Sequence, residues 1–269
     1  MDKRPIGVFD SGLGGLTAVA EIQKILPSEN IIYFGDTSRV PYGGRSREIL
    51  LKYARQDVAF LRSFDIKAML VACGTVSTNA LTELTAECEL PMLGVVEPAC
   101  RRAVELTRNK KVGMIATAAS VRSGCYEATI AALDGAVGVT SLACPLFVPL
   151  VENGRYRADD KVVRTVAEEY LAPMKAAGVD TLILGCTHYP LLTEVIGEVM
   201  GPGVELINTG AEAARELKRV LTAQNILSDA SEGATALYAS DISGDFEVLA
   251  SRFLQKQVRG VTSVDIDRY

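Results

Sequence analysis

Apolar residues along the chain come in short unbroken runs, each closed by glycine or a small polar residue and followed by an amphipathic stretch. Nine runs predict strands: Ile6–Phe9, Ile31–Phe34, Ala68–Ala72, Met92–Val95, Lys111–Ile115, Val139–Leu142, Thr181–Leu184, Val204–Ile207 and Ala236–Ala239. They do not alternate and are rich in Val, Ile and Leu, the pattern of strands buried on both faces of a parallel sheet. Between them, helical spacing runs over Leu16–Leu26, Arg47–Ser63, Ala99–Thr107 and Val162–Ala177. Pro27 stops the first of these, and Pro190 opens a further helix at its first turn. Strands alternating with helices predict an α/β fold with open, doubly wound, mainly parallel sheets.

Some strand ends look like copies of one another. Leu70-Val-Ala-Cys73-Gly-Thr75 resembles Ile183-Leu-Gly-Cys186-Thr187-His188, and Gly7-Val-Phe-Asp10 resembles Gly113-Met-Ile-Ala116-Thr117. This predicts two similar α/β halves that offer strand ends to a common cleft, with chance similarity between buried strands as the competing account.

Length allows one large domain or two modest ones among 269 residues, and composition narrows the chemistry. At 48% hydrophobic, without Trp and with 6% aromatics, the core must be aliphatic. A net charge of -5 and a pI near 5.2 argue against the dense Lys/Arg face that nucleic acid or an anionic membrane requires. No window of about 18 apolar residues suggests a membrane span. MDKRPIGVFD runs straight into a strand pattern without a signal-peptide core, so a cytoplasmic location is expected. Six cysteines (73, 88, 100, 125, 144 and 186) with no CxxC pair read as free thiols in a reducing compartment. With His188 as the only histidine, no metal site is expected.

Ligands of parallel sheets bind beyond the carboxyl ends of the strands. Four candidate stretches lie there: Asp10-Ser11-Gly12, Asp36 to Tyr42-Gly43, Cys73-Gly74-Thr75 and Cys186-Thr187-His188. The first has glycine enough to hug a small anion, but Thr17 breaks the dinucleotide fingerprint, and a plain turn capped by Asp10 is the alternative. Cys73 and Cys186 each precede a helix start, where a thiol pKa falls from about 8.5 toward neutrality and yields a usable base. The alternative for both, and the reading accepted for the other four cysteines, is a small buried hydrophobe. His188, two residues after Cys186, is either a proton-handling partner or a satisfied structural residue. Glu152 is either a second carboxylate of the cleft or a solvated loop residue.

FDSGLGGL (9–16), GDTSRVPYG (35–43), KAMLVACGT (67–75), LPMLGVVEPA (90–99), CPLFVPLVE (144–152) and LGCTHYPLL (184–192), in that order, closely resemble the glutamate racemase family of the aspartate/glutamate racemase superfamily. The resemblance implies interconversion of L- and D-glutamate without pyridoxal phosphate, metal or other cofactor, supplying D-glutamate for peptidoglycan. It implies two α/β domains with the active site in the cleft between them, residues 1–97 plus 207–269 forming the first and 98–206 an inserted second. It makes Cys73 and Cys186 the catalytic acid/bases, Asp10 assisting Cys73 and His188 assisting Cys186, with Glu152 a further catalytic carboxylate. Asp10, Ser11, Pro41, Tyr42, Gly43, Gly74, Thr75, Thr117, Thr187 and His188 would contact the amino acid, largely through hydroxyls and backbone N–H groups. A homodimer, and binding of DNA gyrase as reported for some members, are further implied possibilities; an aspartate racemase and a weakly active binding homologue are the functional alternatives.

One position departs from the family, which normally has Asn after the first catalytic Cys where this chain has Gly74. A lost hydrogen bond to a charged group costs about 1.5–3 kcal/mol, roughly ten- to a hundredfold in a rate or binding constant. Asn79 lies about one and a half helical turns further on and is no direct substitute. Asn208-Thr209 in place of the more usual Asp-Ser is a milder change. The departure predicts weak activity or an altered substrate, and implies that Gly74→Asn does not lower kcat/KM for glutamate.

Overall fold

The computed structural model describes residues 2–242 and 244–269. All nine expected strands form, within one residue of their predicted bounds: β1 (Ile6–Asp10), β2 (Ile31–Gly35), β3 (Ala68–Val71), β4 (Met92–Gly94), β5 (Lys111–Ala116), β6 (Gly138–Ala143), β7 (Thr181–Leu184), β8 (Glu205–Asn208) and β9 (Thr235–Ala239). The two-residue β10 (Thr262–Ser263) is exposed and carries no apolar run to announce it.

The helices are α1 (Leu16–Ile25), α2 (Arg47–Arg62), α3 (Gly74–Asn79), α4 (Leu81–Ala86), α5 (Val96–Leu106), α6 (Ala118–Ser123), α7 (Cys125–Leu133), α8 (Phe147–Glu152), α9 (Lys161–Ala177), α10 (Thr193–Met200), α11 (Thr209–Ala223) and α12 (Phe246–Leu254). Periodicity finds α1, α2, α5 and α9. It starts α5 three residues late because Pro98 sits in its first turn, where a missing N–H breaks no helical bond. Pro190 opens a 3-10 turn, Tyr189–Leu192, that leads into α10.

The strands form two sheets, parallel throughout, in the orders β10-β9-β2-β1-β3-β4 and β6-β5-β7-β8. The order β2-β1-β3-β4 recurs as β6-β5-β7-β8, so the similarity read between strand ends is a repeat of topology, with β3 and β7 equivalent. In each sheet successive connections leave in opposite directions about β1 and about β5, which opens a crevice beside those strands. Asp10 ends β1 and Cys73 follows β3; Thr117 follows β5 and Cys186 follows β7. Topology alone therefore assigns each half one crevice and one cysteine.

The aliphatic core runs beneath both crevices, from Val8, Leu16 and Leu70 to Ile115, Leu171 and Leu184. Among the described residues one ion pair lies wholly inside: Lys67 Nζ is 2.5 Å from Glu29 Oε2 and donates to the carbonyls of Asp2 and Ile226 at 2.7 and 2.8 Å. No helix among the described residues is long and apolar enough to cross a membrane.

Candidate active site

The two cysteines have different surroundings. Cys73 caps α3 with its thiol almost fully buried, and Sγ donates to Ser11 Oγ at 3.6 Å. The sequence predicts a lowered thiol pKa here, and the structure reverses it. Burial, with the nearby Asp10 charge added, pushes Cys73 up to about 12, against backbone N–H groups and Ser11 that pull it down. A six-residue helix cannot offset that desolvation. Cys73 is therefore a protonated thiol near neutral pH.

Cys186 has a polar relay instead. Its Sγ lies 3.9 Å from His188 Nδ1, and His188 Nε2 lies 3.0 Å from Glu152 Oε1 at the end of α8. Burial by itself would lower the His188 pKa, but hydrogen bonds to Cys186 and Glu152, and their charges, raise it to about 10. The imidazole is thus protonated at neutral pH, one N–H turned to the carboxylate and the other to sulfur. The Phe253 ring of α12 packs edge-wise on it, centroids 5.0 Å apart at 81°. Glu152, exposed at the end of its helix, is the hydrogen-bond partner of His188.

Asp10 lies between the halves. Its Oδ2 accepts from the Gly12 N–H at 3.0 Å and its Oδ1 from Thr187 Oγ1 at 3.5 Å. Burial raises its pKa, offset in part by His188 and the loop N–H groups. It makes no hydrogen bond to Cys73 among the described residues; Ser11 does, while Asp10 acts on the thiol through its charge. Across the cleft, Thr75 Oγ1 and Thr117 Oγ1 are 3.0 Å apart. Gly43 abuts Thr117 closely, since a Cβ added to it would stand 3.2 Å from Thr117 Cβ.

The Tyr42 hydroxyl is engaged inside the first half. Its OH is buried against Asp36 and, at 3.3 Å, Asp57, which Arg39 joins through ion pairs of 2.6 and 3.1 Å. Two carboxylates need that hydroxyl and guanidinium, so the Tyr42 side chain braces the 36–43 loop. Asp36 is likewise consumed, accepting also from Ser240 Oγ at 2.9 Å. Pro41 is exposed and has no N–H to offer. Asn79 Nδ2 is spent inside its own helix on the Thr75 carbonyl and on Thr78 Oγ1, both at 2.9 Å, so it does not replace the missing side chain at Gly74. Asn208 caps α11 through the N–H groups of Gly210 and Ala211, which explains why that departure is mild.

Three features escape sequence reasoning. Ser120 extends the hydroxyl pair, with Oγ 3.1 Å from Thr117 Oγ1 and 3.3 Å from Thr78 Oγ1; its position three residues after a helix-capping threonine is the signal that could have found it. Phe253 lies far outside the motifs. Gly14, read as a turn residue, is held to glycine by packing: a Cβ there would sit 2.3 Å from Thr187 Oγ1 and 2.6 Å from His188 Nδ1.

The arrangement sets one buried thiol at a strand end of each half, each with a polar partner, a set of groups able to hold and pass protons. The Asp/Glu/Hydantoin racemase profile matches residues 19–217. A glutamate racemase of Geobacter metallireducens is 44% identical over 268 residues, covering 99% of this chain and 98% of that one. The crystal structure of glutamate racemase isoform RacE1 from Bacillus anthracis superposes with a TM-score of 0.93 at 38% identity, over 98% of each chain. Glutamate racemase from Francisella tularensis subsp. tularensis, solved in complex with D-glutamate, gives 0.92 at 36% identity over 100% of both chains. Fold and sequence together define an amino-acid racemase, an isomerase of the Asp/Glu/Hydantoin racemase family, to which this chain belongs. Within that family it stands with the glutamate racemases.

Proposed function

We propose that the protein interconverts L- and D-glutamate by passing protons between Cys73 and Cys186, with no pyridoxal phosphate or metal. The observation that carries this reading is the placement of the two cysteines: equivalent strand ends of two like-ordered sheets, each with its own polar partner. Protonated His188 turns a ring N–H toward the Cys186 sulfur, while burial keeps Cys73 a thiol. One sulfur removes the α-proton as the C–H bond breaks, and the other delivers its proton to the opposite face as a new C–H bond forms. The sulfurs exchange protonation states in each turnover. Hydroxyls of Ser11, Thr75, Thr117 and Thr187, with the backbone N–H groups of Tyr42 and Gly43, are the donors for the substrate carboxylates; stabilising the carbanion-like state through such donors is commonly the largest contribution to rate.

The domain division belongs to the same reading: 1–97 with 207–269 around the six-stranded sheet, and 98–206 around the four-stranded one. Ile207 and Asn208 pair with Ile183 and Leu184 in the four-stranded sheet, so the proposed return point lies within β8. Supply of D-glutamate for peptidoglycan, in the cytoplasm, and assembly as a homodimer follow the family resemblance. The substrate is tested with chelator-treated, pyridoxal-phosphate-free protein on glutamate and aspartate. Glutamate turning over at least tenfold faster supports the reading, and a preference for aspartate sinks it.

A further inference from the structure

The loops at the strand ends of the first half meet the second half at three glycines: Gly14 after β1, Gly43 after β2 and Gly74 after β3. At Gly14 and Gly43 the nearest obstacles to a Cβ are side chains, of Thr187, His188 and Thr117. At Gly74 the obstacle is main chain: a Cβ would stand 2.6 Å from the Gly185 carbonyl oxygen. Gly185 is tied to β5. Its N–H is bonded to the Ile115 carbonyl at 2.8 Å, and a Cβ on Gly185 would itself lie 2.9 Å from that same oxygen. No rotamer relieves a Cβ at 74, so the main chain of one half has to give way to it.

Cys73 immediately precedes Gly74, and Cys186 immediately follows Gly185. This close approach of main chain between the halves is therefore one residue from each thiol-bearing position. We infer that Gly74 is a positioning residue: its bare Cα sets how closely the halves close, and so whether both sulfurs reach one α-carbon. This rests on the two-thiol reading above. It also reverses the expectation drawn from the missing side chain alone, because an added Asn must first displace the Gly185 carbonyl.

An ordinary carbon–oxygen contact is about 3.3–3.6 Å, so Gly74→Ala has to widen the seam by about 0.7–1 Å. A misplacement of that size costs up to about a hundredfold in rate. Widening does not affect all steps alike. One thiol suffices to take the α-proton, exchange it with solvent and return it to the same face, whereas inversion needs both thiols within reach.

The test compares full-length wild type, Gly74→Ala, Gly74→Asn and, as a control, Gly203→Ala, where a Cβ meets nothing within 4 Å. In D₂O, inversion is followed by circular dichroism and loss of the α-proton from the starting enantiomer by proton NMR, with melting curves confirming that each variant folds. The expected result is a fall of tenfold or more in kcat for both Gly74 variants, a smaller change in KM, and a raised ratio of α-exchange to inversion; the control matches wild type. A Gly74→Ala enzyme with wild-type kcat and exchange ratio overturns the inference, as does a Gly74→Asn enzyme with raised kcat. If wild type does not racemise glutamate, the functional reading fails separately. Closure is then judged from a crystal structure of Gly74→Ala, where a lengthened separation between residue 74 and the Gly185 carbonyl supports the inference and an unchanged one refutes it.

Discussion

Replacing Glu152 by Gln removes a charge from His188 while keeping the shape of the contact. His188 Nε2 and Glu152 Oε1 are 3.0 Å apart, and the Glu152 side chain is 44% exposed. At that distance the charge–charge interaction is about 1.4 kcal/mol in bulk water and about 5.5 kcal/mol at an effective dielectric near 20. Exposure of the carboxylate places it toward the screened end, so the loss is about 1.4 kcal/mol or somewhat more, about one pH unit. The sign follows from the charges. Glu152 stabilises the imidazolium, so without it the His188 proton leaves at lower pH. If imidazolium beside Cys186 is required, kcat/KM of wild type falls as pH rises through about 10, and the variant falls about one unit sooner. Initial rates by circular dichroism from pH 6 to 11 check this with either enantiomer, since an equilibrium constant of one makes kcat/KM equal in both directions. A wild-type limb near pH 6.5, or a variant limb that stays put or moves upward, refutes the reasoning. Folding is linked to the same proton: the stability His188 contributes is fully present below pH 6.5 and is lost as pH rises through about 10.

Two further outcomes separate structure from chemistry. Lys67→Met leaves Glu29 buried without its cation and should cost about 3–5 kcal/mol in urea unfolding, with kcat of the folded enzyme unchanged; a loss under about 1 kcal/mol would show that Glu29 finds other partners. Tyr42→Phe strips a hydroxyl from Asp36 and Asp57 and should cost about 1–3 kcal/mol of stability while KM for glutamate changes less than tenfold. Unchanged stability with a large rise in KM would return that hydroxyl to the substrate.

The strands were legible because a strand buried on both faces has no alternation to disguise it, and the repeat was legible because small residues must follow each buried run where a ligand approaches. Short helices such as α3, α6 and α8 span too few turns to show a period, and their residues had to be found by contact. Sequence position put Tyr42 on the rim but could not say which way its ring turns. That depends on Asp57, contributed by a separate helix. The pairing of Glu152 with His188 joins residues far apart in the chain, and Phe253 lies beyond every motif. The Cys73 thiol shows where local rules mislead: proximity to a helix start was visible in the sequence, whereas complete burial beside Asp10 was not, and burial dominates. The Gly74 departure was visible as a missing side chain, but the carbonyl that fills its place could be seen only with the second half in position.

The central claim, two thiols acting on opposite faces, is tested most directly by circular dichroism of D-glutamate in buffered D₂O with wild type, Cys73→Ser and Cys186→Ser. The account predicts that with wild type the signal decays to zero with α-deuterium in the product, and that either substitution stops inversion. Continued inversion in either variant would contradict it.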